Sequence, residues 1–179
     1  MFHVLLLVKI STNGANNDLN YFIAGFVAGE GSFFVTTSTT TTWPQVTCAF
    51  SIKIRADDRE MLEIIRRALK FSGTIHYLPS RRYQYSWNSI KRHDAVMLII
   101  RDHDELMSYV IPFFDRYLLH SQKRRNYEIW KQVVQMMDRG EHLTGEGLQK
   151  ILELKSQMNR YQGQDVEDES LSDSADEHE

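Results

Sequence analysis

The chain has 179 residues, 42% of them hydrophobic, with one cysteine and a formal net charge of −3. That length fits one domain with tails, and a lone cysteine excludes an internal disulfide framework and suits a reducing, intracellular setting, bacterial cytoplasm or organelle. The acidic balance misleads: eight of the 24 acids fall in residues 165–179, which hold no Lys or Arg, so the body carries 21 bases against 16 acids, about +5, a balance suited to a polyanionic partner.

Residues 1–17 begin with a short apolar run, Val4 to Val8. It lacks the basic start and small-residue cleavage site of a signal peptide and reads as an N-terminal extension without identifiable chemistry. Residues 18–160 are expected to form the working domain, and 161–179 an acidic disordered tail.

Asn20 to Glu30 reads as an apolar helix that stops at Gly29-Glu30-Gly31. Gly25 and Gly29 lie four apart and so share one face, together with Phe22 and Phe26. A strip without side chains lets another backbone approach closely. Each glycine costs a helix roughly 1 kcal/mol relative to alanine, so close packing must offset it. The run is too short to span a bilayer. Glu30 is thereby placed at the end of a tightly packed helix pair; the plainer reading is a buried amphipathic helix with a capping acid.

Residues 32–42, rich in Thr, Phe and Val, predict a strand, and Trp43-Pro44-Gln45 a turn. Val46, Cys48, Phe50, Ile52 and Ile54 then alternate with Gln45, Thr47, Ala49, Ser51, Lys53 and Arg55, the period of a half-buried strand. Asp57-Asp58 opens a helix whose inner face is Met61, Leu62, Ile64, Ile65, Ala68 and Leu69, ended by Ser72-Gly73. Residues 74–78 and 82–89 predict a second hairpin turning at Pro79-Ser80-Arg81. In it Thr74, His76, Arg82, Gln84, Ser86 and Asn88 point outward, Tyr83, Tyr85 and Trp87 point to the core, and Ile75 and Tyr77 oppose Thr74 and His76. Residues 93–106 are expected to be helical, with Val96, Met97, Ile99 and Ile100 inward. Two further helical stripes follow, Tyr127, Trp130, Val133, Val134 and Met137, then Leu148, Ile151, Leu152 and Leu154.

Ile23-Ala24-Gly25-Phe26-Val27-Ala28-Gly29-Glu30-Gly31 resembles the LAGLIDADG motif of homing endonucleases, although Ala28 stands where the namesake sequence has an acid. The order helix, two strands, helix, two strands, helix is similar to that family's domain. So is the later region, with Lys123 before a helix and a Thr-capped helix ending near Met158-Asn159. The resemblance covers residues 19–160. It implies an α+β, αββαββα fold: a four-stranded antiparallel saddle with helices on one face and further helices at the C-terminus.

The resemblance also implies a site-specific double-strand DNA homing endonuclease. Glu30 would be the catalytic acid and ligand of a divalent metal, Mg²⁺, with the Gly29 carbonyl beside it. Lys123 would supply basic help at the phosphate. A single motif implies a homodimer through Phe22, Gly25, Phe26 and Gly29, acting on a long, near-palindromic duplex. The sheet's open face would read DNA with Ser32, Phe34, Thr36, Ser38, Thr40, Gln45, Thr47, Ser51, Lys53, Arg55, Thr74, His76, Arg82, Gln84, Ser86 and Asn88; Arg suits guanine and Gln suits adenine. Ile54 falls where relatives often carry a polar residue. The seven His residues show no paired ligand spacing and no Walker loop occurs, so neither zinc nor a nucleotide cofactor is expected, and no membrane partner. Two other functions stay open: an intron RNA maturase, and a DNA-binding regulator that does not cut.

Overall fold

The computed structural model describes residues 2–38, 44–80 and 93–159, with 2–15 and 159 as helical backbone only. The first helix, α1 (Phe2–Glu30), turns directly into strand β1 (Gly31–Ser38). The junction is tight. A Cβ on Gly31 would lie 2.5 Å from Val27 Cγ1 and 2.7 Å from the Val27 carbonyl oxygen, so only glycine lets the strand start under the last helical turn. The helix extends back to Phe2, across the segment expected to be a separate extension.

β1 pairs antiparallel with β2 (Gln45–Arg55), and after a 3-10 turn at Ala56–Asp58 comes α2 (Arg59–Ala68). That helix ends before Ser72-Gly73. Lys70 and Phe71 both adopt left-handed backbone, at φ of 57° and 63°, and reverse the chain into β3 (Thr74–Leu78).

The fourth strand is β4 (Ala95–Ile100), inside the segment expected to be helical. It pairs antiparallel with both β2 and β3, and the sheet order is β1-β2-β4-β3. The physical reason lies in Ala95-Val96-Met97-Leu98-Ile99-Ile100 itself. A six-residue apolar run without a polar face cannot be assigned by periodicity, and its length and β-branched content favour a strand buried between neighbours. Asp102 accepts a hydrogen bond from the Glu105 N–H at 3.0 Å and so starts the helix only after the strand, at α3 (His103–Glu105). The strand expected at 82–89, with Tyr83, Tyr85 and Trp87 inward, lies outside the described residues.

A π-turn over Leu106–Val110 leads into α4 (Ile111–Arg116), then α5 (Gln122–Asp138) and α6 (Gly145–Asn159). Thr144 caps α6 by accepting the Gly147 N–H at 3.1 Å, as the sequence predicts. The core lies between one sheet face and the helices. Its centre is aromatic: the Phe33 ring sits 5.0 Å from Phe50, 5.4 Å from Phe114, 5.2 Å from Tyr127 and 5.1 Å from Trp130. Burying each such side chain contributes roughly 1.5–3 kcal/mol. The Tyr127 hydroxyl lies 2.8 Å from Asp115 Oδ1, and Lys131 Nζ reaches the same carboxylate at 2.6 and 2.7 Å, which ties α4 to α5. No helix among the described residues is long and apolar enough to cross a membrane.

Candidate active site and nucleic-acid interface

The two faces of α1 differ. Ile23, Ala24 and Val27 are buried against the sheet, spaced three and four apart as an inner stripe must be. Tyr21 meets Tyr117 edge-on at 5.1 Å, and the Tyr117 hydroxyl donates to Asn17 Oδ1 at 2.9 Å; these contacts fix the helix along its length. The other face carries Phe22, 57% exposed, with Gly25 and Gly29 exposed and Phe26 half-buried. A Cβ built on Gly25 or Gly29 meets nothing within 4 Å. Gly31 is thus required by packing within the chain, whereas nothing among the described residues requires the other two.

Glu30 is the last residue of α1 and is exposed. Its carboxylate takes no hydrogen bond or ion pair among the described residues. The Gly29 carbonyl belongs to the final turn, where helical carbonyls lack intrahelical partners. Two oxygen donors of the kind a hard cation prefers therefore stand together. They are not enough alone: among the described residues no group of three or more His, Cys, Asp or Glu could hold a metal.

Lys123 stands in the first turn of α5, capped by Ser121, whose Oγ accepts the Lys123 N–H at 3.2 Å. Its side chain lines an open cleft of about 230 Å³ with Ser32, Phe34, Asn126, Lys155 and Met158. Ser32, which lines the same cleft as Lys123, is two residues beyond Glu30, roughly 7 Å along a strand. Lys155 was not singled out by the sequence reading. Leu148, Ile151, Lys155 and Met158 share one helical face, which puts a lysine on the inner stripe of α6 without saying what it faces.

The register assigns the sheet faces. Ser32 pairs with Ser51, Phe34 with Ala49, Thr36 with Thr47 and Ser38 with Gln45, and directly paired residues share a face. Thr74 pairs with Ile99, and His76 and Lys53 both pair with Met97, so the same face continues across the sheet. Ser32, Thr36, Ser38, Gln45, Thr47, Lys53, Arg55, Thr74 and His76 are exposed, Phe34 is half-buried, and Ser51 is buried at the sheet centre. Sequence reasoning missed the share of β4, which puts Ala95, Met97 and Ile99 on this face. A polar rim thus surrounds an apolar strip of Phe34, Ala49, Ile99 and Met97. Rim groups can pair with base edges or phosphates; within the strip Ala49 and Ile99 are buried, and half-buried Phe34 and Met97 are the side chains that can meet a thymine methyl.

Arg55 is engaged within the chain. Its guanidinium donates to both Asp57 oxygens, at 3.1 and 2.7 Å, which holds the Asp57 carboxyl below the usual carboxylate range. Ile54 is half-buried on the opposite, core-facing side of β2. Thr40, Arg82, Gln84, Ser86 and Asn88 lie outside the described residues. Asp94 closes the base of the β3–β4 connection, accepting from the Tyr77 hydroxyl and from the Ser80 N–H at 2.8 Å.

A family model described as LAGLIDADG endonuclease matches residues 23–134. Over 137 residues the chain is 31% identical to the "Probable intron-encoded endonuclease 2" of Neurospora crassa, covering 76% of this chain and 26% of that protein. The crystal structure of the I-LtrWI LAGLIDADG homing endonuclease bound to target DNA superposes with a TM-score of 0.71 at 31% identity, over 80% of this chain and 45% of that one. I-SmaMI, solved on an uncleaved DNA target in the presence of calcium ions, gives a TM-score of 0.67 at 29% identity, over 79% and 45%. The chain spans about a quarter of the length of the curated relative and less than half of the solved enzymes.

Proposed function

Because the chain belongs to the LAGLIDADG endonuclease family, we propose that it is one half of a site-specific double-strand DNA endonuclease, completed by a second copy of itself. The observation that carries this reading is α1. Its outer face bears two glycines that nothing among the described residues requires, beside exposed Phe22, and it ends in the exposed acid Glu30. A second α1 laid in that glycine strip brings two Glu30 carboxylates side by side, and the pair supplies what one chain lacks.

In this reading Glu30 and the Gly29 carbonyl would hold a divalent cation, for which we propose Mg²⁺. When bound, such a cation supplies an activated water and neutralises charge at the phosphate. The chain's own residues do the rest. The open sheet face seats the duplex and reads base edges in the major groove. Lys123, beside the first residues of β1, offsets charge building on the scissile phosphate. Two related sites on one dimer imply a target close to a palindrome.

The test is incubation of the protein with a randomised duplex library and Mg²⁺, followed by sequencing of the cut ends. Recurrent breaks at one long, near-symmetric sequence are expected. Binding of that library without breaks would leave a DNA-binding regulator, and preference for structured RNA a maturase.

A further inference from the structure

The cleft between β1, α5 and α6 holds two lysines and no carboxylate. Lys123 and Lys155 line it with Ser32, Phe34, Asn126 and Met158, and both side chains are half-buried. The ion pairs among the described residues include neither of them, whereas Arg55, Arg59, Lys131 and Arg139 each have an acid. Lys155 Nζ makes one hydrogen bond, 2.9 Å to Thr37 Oγ1. An ammonium taken partly out of water needs an anion or several acceptors, and one hydroxyl satisfies a single one of its three donors. β1 is also an edge strand, so the cleft lies where the sheet's open face gives way to the helices.

We infer that this cleft is a track for the DNA backbone, and that Lys155 neutralises a phosphate away from the scissile one. The inference rests on the proposed function and adds a contact to it. Lys123 and Lys155 share the cleft with Ser32 and Phe34. Lys155 is anchored at Thr37, seven residues beyond Glu30, roughly 23 Å of extended strand. That separation assigns Lys155 to binding rather than to bond breaking. Its stem lies on the inner stripe of α6 between Ile151 and Met158, which aims the ammonium and limits the entropy lost when a phosphate takes it up.

The decisive measurement is the salt dependence of duplex binding, read by anisotropy of a fluorescein-labelled duplex of mixed sequence. Each phosphate contact contributes about −0.9 to the slope of log K against log salt. Lys155→Met keeps the stem and removes the charge; it should flatten the slope by about 0.9 per protomer, so by about 1.8 for a dimer on one duplex. Lys155→Arg and Thr37→Val should keep the wild-type slope, since each keeps the charge. Wild-type protein should also show Lys155 protected from amine acetylation when duplex is added, a readout independent of how the variants fold. An unchanged slope in folded Lys155→Met, a slope lost equally in Thr37→Val, or acetylation of Lys155 indifferent to duplex would each overturn the inference. Absence of salt-dependent binding by the wild-type protein would instead overturn the DNA-binding function itself.

Discussion

Glu30 is flanked by two glycines with different causes. Gly31 is fixed by the Val27 backbone beneath it, and that contact decides where the helix hands over to the strand and so where the acid points. Gly29 has open space beside it and offers its carbonyl and its missing side chain to something outside the chain. Glu30→Gln keeps the volume and the hydrogen-bonding capacity of the residue but removes the charge a cation needs. Duplex binding should persist and Mg²⁺-dependent cleavage should be lost, by orders of magnitude in single-turnover rate. Cutting at the wild-type rate would remove Glu30 from the site. The sequence exposed Glu30 because it is the one acid ending an apolar, glycine-spaced run. It did not expose Lys155, because a lysine at a helical core position looks like any solvated lysine until the strand it faces is known.

At the level of elements the instructive case is β4. Helix and strand make opposite predictions for two neighbours there. A helix over residues 93–106 puts Met97 inward, whereas the register puts Leu98, fully buried, against the helices and Met97, half-buried, on the open face. Leu98→Ala should therefore cost about 2–5 kcal/mol, visible as a large fall in melting temperature. Met97→Thr should cost about 1 kcal/mol or less and change duplex binding instead. The reverse ranking in thermal denaturation would return the segment to a helix. β1 and β2 were legible because one face meets helices and the other is open, which writes alternation into the sequence. β4 is central in the sheet and apolar on both faces, with Val96, Leu98 and Ile100 toward the helices and Ala95, Met97 and Ile99 on the other side, so no alternation marks it.

For the whole molecule, assembly and long-range charge are what matter. Gly29→Leu puts a branched side chain into the strip where a second α1 would lie. On the proposed assembly, sedimentation should show a dimer for the wild-type protein and a monomer for the variant, with the chain still folded because no described residue comes within 4 Å of a Cβ at that position. A dimer that survives would place the interface elsewhere. Removing residues 165–179 takes eight negative charges from the chain and leaves a body of about +5. Non-specific duplex affinity should rise at low salt, and the gain should shrink as salt screens both terms. Equal affinities at every ionic strength would make the acidic segment electrostatically irrelevant.

By itself the sequence determined the motif helix, its glycine strip and terminal acid, the first hairpin with its two faces, and the capped helices at the C-terminal end. Each is written in a local period, a turn or a cap, and local rules suffice to read it. Only the tertiary structure decided which apolar run closes the sheet, that Arg55 is held by Asp57, that Gly31 is sterically required while Gly25 and Gly29 are not, and that Lys155 joins Lys123 in one cleft. Those facts depend on pairs of residues distant in the chain, up to 118 positions apart for Lys155 and Thr37, or on the space around a backbone atom. Neither leaves a periodic trace in the sequence.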